Sequence, residues 1–247
     1  MPRKGGPGRS RLRLRIAGAV VLALGAPLCR ADGPWNATIG ATSDYVLRGV
    51  SQTYDSAAVQ LGGSYQLPTG WFAGVWGSNV NPYPHAGSSM ELDLYAGLIR
   101  PISSDFSARL TYTHYMYLDD PRPSGYDYDE VSLSAAYLDR VAVTLSVQPD
   151  FTSYSNFGFA RHEPSGALEL TSRWPLWRDI SLSVGAGYYD LQRLFGVSYW
   201  AGNLGASYTY RRAAFELARY FAEGTVSRLY SEQTSNSTWA FSAVVRF

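Results

Sequence analysis

Three histidines, His85, His114 and His162, are the only imidazoles in the chain, and acid–base chemistry near neutral pH would most readily use one of them. His85 follows Pro84 and His162 precedes Glu163, both in stretches rich in turn formers, while His114 shares a period-two row with Phe106, Leu110, Tyr112 and Met116. None of the three sits in a recognisable arrangement of acid, base and nucleophile. The sequence therefore argues against an enzyme and offers no catalytic residue. Acids at Asp119, Asp120, Asp127, Asp129 and Glu130 could gather divalent cations, or bridge lipopolysaccharide through them, but EF-hand spacing is missing and they read as solvated loop charge. No cofactor or metal site is assigned.

What remains is charge on alternating segments. Asp44 and Arg48 are four apart, which on an extended strand puts them on one face, and Glu91 and Asp93 share the polar face of another segment. With Arg109, Glu130, Asp150, Glu169, Arg173, Glu216 and Arg246 they make seven acids and four bases on polar rows. Such rows either select ions or form interior salt bridges that hold a tube closed.

The elements that must position these charges are strands. In Thr238 to Phe247, Trp239, Phe241, Ala243, Val245 and Phe247 form one apolar row, and Thr238, Ser242 and Arg246 mark the other side. An alternating last strand that ends on Phe resembles the closing strand of bacterial outer-membrane barrels. Val141, Val143, Leu145, Val147 and Phe151 oppose Ala142, Thr144, Ser146, Gln148 and Asp150, and Ile180, Leu182, Val184 and Ala186 oppose Ser181, Ser183 and Gly185. Twelve such segments are expected, near 35–47, 56–67, 71–79, 90–100, 106–118, 129–138, 141–153, 166–174, 180–190, 198–210, 213–222 and 238–247. Short gaps such as Pro68-Thr69-Gly70 and Arg211-Arg212 alternate with longer ones such as Asn81 to Ser89 and Gly224 to Ser237, the loop sorting of an outer-membrane barrel. Periodicity alone also fits a soluble barrel with its apolar rows inward. Loop sorting and the two ends of the chain favour lipid outside. Trp35, Trp71, Trp174, Trp177, Trp239 and the pairs Tyr188/Tyr189 and Tyr208/Tyr210 are candidates for interfacial girdles. Arg219 resists the scheme, because it shares the apolar row of Phe215 and Leu217. It either snorkels near an interface or marks an error of register.

The first 31 residues read as a secretory leader. Arg3, Lys4, Arg9, Arg11, Arg13 and Arg15 precede the apolar run Ile16 to Leu28, and Cys29-Arg30-Ala31 predicts cleavage after Ala31. An apolar run of about 13 residues is too short for a membrane helix, which needs about 20. Seven of the 21 basic residues and none of the 20 acidic ones fall in the leader, so residues 32–247 carry 14 bases against 20 acids, net −6. That sign speaks against a nucleic-acid partner. The only cysteine, Cys29, leaves with the leader, which excludes disulfides and thiolate chemistry from the mature barrel.

The stretch Ser43-Asp44-Tyr45-Val46-Leu47-Arg48-Gly49-Val50-Ser51-Gln52-Thr53 resembles the signature S-D-Y-V-F-R-G-I-S-Q-T of the TorF-like family of porins, with Leu47 and Val50 departing conservatively. Trp76-Gly77-Ser78-Asn79-Val80 and Glu91-Leu92-Asp93-Leu94-Tyr95-Ala96-Gly97 are similar to the same family. The resemblance implies a bacterial outer-membrane barrel and carries over no catalytic or binding residue. Gly49 is expected to release the chain into the first external loop.

The sequence thus predicts an all-β, up-and-down antiparallel transmembrane barrel of about twelve strands over residues 32–247, preceded by a signal peptide over 1–31 and located in the outer membrane. Its expected role is passive diffusion of small hydrophilic solutes through a narrow, weakly cation-preferring lumen, with outer-membrane lipids and lipopolysaccharide around it. The alternative is a plugged, non-conducting barrel with a structural, adhesive or lipid-interacting role. The sequence leaves the solute and the oligomeric state open.

Overall fold

The computed structural model describes residues 34–81, 89–118, 127–154, 160–225 and 237–247. The expected leader and cleavage point lie outside them, as does His85. The chain opens with β1 (Trp35–Thr42), two short strands β2 (Val46–Leu47) and β3 (Val50–Ser51), then β4 (Ala58–Gln66), β5 (Trp71–Val80) and β6 (Ser89–Pro101). It continues with β7 (Phe106–Leu118), β8 (Tyr128–Tyr137), β9 (Val141–Tyr154), β10 (Ala160–Trp177) and β11 (Ile180–Leu191). A single helical turn, α1 (Gln192–Phe195), leads to β12 (Val197–Tyr210), β13 (Ala213–Ala222) and β14 (Ser237–Arg246).

Twelve of these strands close into one antiparallel barrel, each paired to its chain neighbour, with β1 bridging β14 and β4. The strands form because alternation satisfies two unlike surroundings at once, and closure leaves no edge whose backbone groups would go unpaired in hydrocarbon. The apolar rows point outward: Ile39, Leu61, Val75, Leu94, Leu110, Leu133, Leu145, Leu170, Leu204, Leu217 and Phe241 are all exposed. No helix among the described residues is long and apolar enough to cross a membrane.

Both rims of the outward face carry aromatics. Trp35, Trp71, Trp174, Trp177, Tyr208 and Tyr210 lie exposed toward the short-turn end, and Trp200 and Trp239 toward the other. The Tyr188/Tyr189 pair divides, because neighbours on a strand face opposite ways. Tyr188 packs its ring on Trp200 at 5.0 Å, whereas Tyr189 is buried inside. Arg219 is three residues from the outer end of β13, where its guanidinium lies 5.8 Å over the Trp239 ring and its Nε donates to Ser237 at 2.7 Å. The register is intact there, and the charge snorkels at the interface.

Three expectations about local geometry are corrected. The first strand stops at Thr42, and Ser43 to Gln52 do not continue it. A bulge places Pro149 and Asp150 opposite Pro164 alone, since Gln148 pairs with Ser165 and Phe151 with Glu163. The extra residue reverses the facing beyond it, so Phe151 is buried and Asp150 exposed. Finally, β10 begins at Ala160, carrying the β9 ladder well past the loop expected up to Ser165.

Candidate functional site

Tyr45 to Thr53, the heart of the first motif, is buried almost throughout and forms a small hairpin inside the barrel. Val46 pairs with Ser51 and Leu47 with Val50, leaving Arg48 and Gly49 as a two-residue turn with φ of 49° and 78°. Positive φ at both turn positions is the type I′ pattern, whose twist suits a tight hairpin. Gly49 thus turns the chain within the barrel rather than releasing it outward. A Cβ there would meet the Ala201 Cβ at 2.6 Å and the Ala222 Cβ at 3.0 Å, so the wall accepts only glycine.

Asp44 organises the base of the hairpin. Its Oδ1 accepts the Ser51 hydroxyl at 2.5 Å and the Thr53 hydroxyl at 3.0 Å, while the Tyr45 N–H donates to the Thr53 hydroxyl at 3.1 Å. Burial drives the Asp44 carboxyl above the ordinary aspartate range, against the opposing pull of these two hydroxyl donors. These local bonds compete with continuation of the β1 ladder, which is why the strand ends at Thr42. The base is tied to the wall where the Asn81 N–H donates to the Gln52 carbonyl at 2.8 Å and the Ser43 N–H to the Phe241 carbonyl at 2.9 Å.

From this root between β1 and β4 the tip reaches the wall formed by β8 to β12. The Arg48 guanidinium pairs with Glu130 of β8 at 2.8 Å and lies 5.5 Å over the Tyr189 ring of β11, and the Tyr199 hydroxyl of β12 donates to the Arg48 carbonyl at 3.3 Å. Gln148 of β9 donates to the same Glu130 carboxylate and accepts from Ser165 of β10 at 2.6 Å. Leu47, Val50, Tyr115, Tyr128, Phe151, Leu191 and Leu194 pack around it as one apolar cluster. The cavity beside Arg48, bounded by Gln148, Phe151, Ser165, Tyr189, Leu191 and Tyr199, has a volume of about 10 Å³, room for at most a single water. Toward the short-turn end the inward residues Thr38, Ser64, Thr111, Ser132 and Ser181 are small and half-exposed.

The three motif stretches, distant in sequence, meet here. The Tyr45 ring lies edge-on to Trp76 at 5.6 Å, and Trp76 and Ser78 stand beside Asp93 and Glu91 in register. Both carboxylates face inward beneath the hairpin and are 0% exposed.

The remaining charged candidates divide by place. Glu169 accepts from the Tyr189 hydroxyl at 2.9 Å and Glu216 from the Ser183 hydroxyl at 2.5 Å. Arg109, with its guanidinium 5.3 Å over the Phe72 ring, Arg173 and Arg246 lie on inward rows toward the short-turn end. Asp150 points outward and pairs with His162 at 2.8 Å. Of the eleven charged candidates, six acids and four bases therefore face the interior.

His114 is outward as expected, but it pairs with Asp129 at 2.8 Å, and Asp129 also accepts the Tyr112 hydroxyl at 2.6 Å. This pairing was illegible in sequence because it crosses two strands. Each of these two histidines faces a carboxylate, Asp129 for His114 and Asp150 for His162. The sequence reading also lacks Gln148 as a partner of Glu130, and Tyr189 and Tyr199 as partners of Arg48. The polar row of β9 signalled Gln148, and nothing local distinguished the two tyrosines from girdle residues.

The fold is that of porins. The NanC porin superposes with a TM-score of 0.58 at 8% identity, over 85% of this chain and 98% of the other. A KdgM porin in complex with disordered oligogalacturonate gives 0.53 at 11% identity, over 86% and 97%. Among curated proteins none matches. The TorF-like resemblance stands on its three motifs, whereas a family model spans residues 30–245. On that match the chain belongs to the family described as "Bacterial protein of unknown function (Gcw_chp)".

Proposed function

We propose that this chain is an outer-membrane channel for small hydrophilic solutes, exported by a signal peptide over residues 1–31, in which the Ser43–Ala57 hairpin governs passage. One observation carries the reading: a porin-type barrel has a polar inner wall, yet the hairpin reaches across its interior from the root beside β1 to the Arg48–Glu130 pair on β8. With the hairpin seated, passage is obstructed, and a shift of its tip away from Glu130 opens the path.

The lumen also sets a weak preference for cations, because the inward acids Asp44, Glu91, Asp93, Glu130, Glu169 and Glu216 outnumber Arg48, Arg109, Arg173 and Arg246. Reversal potentials of purified protein in a planar bilayer under a KCl gradient test this preference. Potassium-biased current is expected, and chloride-biased current refutes the charge assignment.

A second reading is a permanently plugged barrel with a structural, adhesive or lipid-interacting role. The buried chain Arg48–Glu130–Gln148–Ser165 favours it, since each link strengthens the hairpin's seat.

A further inference from the structure

Glu91 and Asp93 are two apart on β6, so both side chains enter the lumen from one face. They are 0% exposed, and none of their four carboxylate oxygens is fully hydrogen-bonded, although the Tyr117 and Tyr45 hydroxyls both approach Glu91. The strand opposite on one side contributes Ser78 and Trp76, and that on the other Tyr117 and Tyr115. None of these four is cationic. The nearby guanidinium of Arg48 is committed to Glu130. Buried carboxylates in proteins are paired, hydrogen-bonded or metal-bound, because desolvation is otherwise too costly.

A second group points into the same place. Tyr45, on the hairpin above, is 6% exposed, and its hydroxyl has no hydrogen-bond partner. That hydroxyl is within electrostatic reach of both carboxylates and approaches Glu91 short of hydrogen-bonding geometry. A single ion of charge +2 neutralises both acids and engages their oxygens together with the phenolic one, and hard divalent cations take carboxylate, neutral oxygen and water ligands.

We propose that the seat of the hairpin is a divalent-cation site, with carboxylates from Glu91 and Asp93 and a neutral oxygen from the Tyr45 hydroxyl. The ion joins the hairpin to the wall at β6, at the base of the strut that Arg48 makes with β8. The site rests on burial and charge alone and holds whether or not the barrel conducts.

The test uses the full chain folded in detergent, stripped with EDTA, and then given CaCl2 or TbCl3. With Ca²⁺ at about a hundredfold excess over Kd, Tm should rise by roughly 5 °C or more. Tb³⁺ should show emission sensitised by Trp76 and Tyr45, displaced by Ca²⁺. Both responses should vanish in Glu91→Gln/Asp93→Asn and persist in Asp150→Asn, whose change lies on the outward face away from the hairpin. A Tm indifferent to Ca²⁺, or Tb³⁺ emission equal in the wild type and the Glu91→Gln/Asp93→Asn variant, overturns the proposal. The second result would mean that surface acids bind the ion. Because neither readout measures current, failure here is separable from failure of the channel reading.

Discussion

Arg48 at the tip of the internal hairpin and Glu130 on β8 form a 2.8 Å ion pair whose two side chains are each 6% exposed, joining elements 82 residues apart across the lumen. Buried pairs of this kind contribute little over an apolar replacement, but removing one partner strands the other charge. The pair therefore fixes where the hairpin sits more than it stabilises the barrel.

Glu130→Gln leaves the Arg48 guanidinium without its counter-charge and should lower stability by about 3 to 5 kcal/mol. Arg48→Met/Glu130→Gln removes both charges and should recover much of that loss. Urea unfolding in detergent, followed by tryptophan fluorescence, measures both variants and Arg48→Met alone. A double-variant loss equal to the sum of the Glu130→Gln and Arg48→Met single losses would mean that the pair carries no coupling.

Gly49→Val should expel the hairpin. A β-branched residue at φ 78° is strained, and its Cβ would begin 2.6 Å from the Ala201 Cβ. The wild-type barrel should resist trypsin at Arg48, while the variant should be cut there with the barrel still folded. Protection of Arg48 in Gly49→Val would place the tip elsewhere.

Leu145→Arg puts a charge on an outward row near the middle of β9 and should cost about 2 to 4 kcal/mol in lipid. Arg219→Leu, at the interfacial end of β13, should change stability by less than about 1 kcal/mol. Equilibrium unfolding in lipid vesicles compares the two. A cost for Leu145→Arg no larger than that for Arg219→Leu would contradict the outward facing of the apolar rows.

The barrel was legible because each strand records its two environments in its own alternation, as Val141 to Val147 and Trp239 to Val245 show. The hairpin was not. Ser43 to Leu47 extends the alternation of β1 without a break, and only the Asp44, Ser51 and Thr53 side chains, bonding among themselves, end the ladder at Thr42. Arg48 and Asp44 read as neighbours on a strand face, yet Arg48 finds its partner on β8, which no local pattern could reveal. Pro149 sits in the bulge of β9, which turns Phe151 inward and Asp150 outward and depends on the partner strand as well. Glu91 and Asp93 were legible as inward charges. Their complete enclosure depends on Tyr45 folding back over them, a contact made only in three dimensions.

Single-channel current is the most direct test of the claim that the hairpin governs passage. In planar bilayers, protein in which residues 44–56 are replaced by a short Gly-Ser link should give large, steady conductance steps. The wild type should give small or infrequent ones. Equal conductance in the two would contradict a governing hairpin, and silence from both folded proteins would contradict the channel itself.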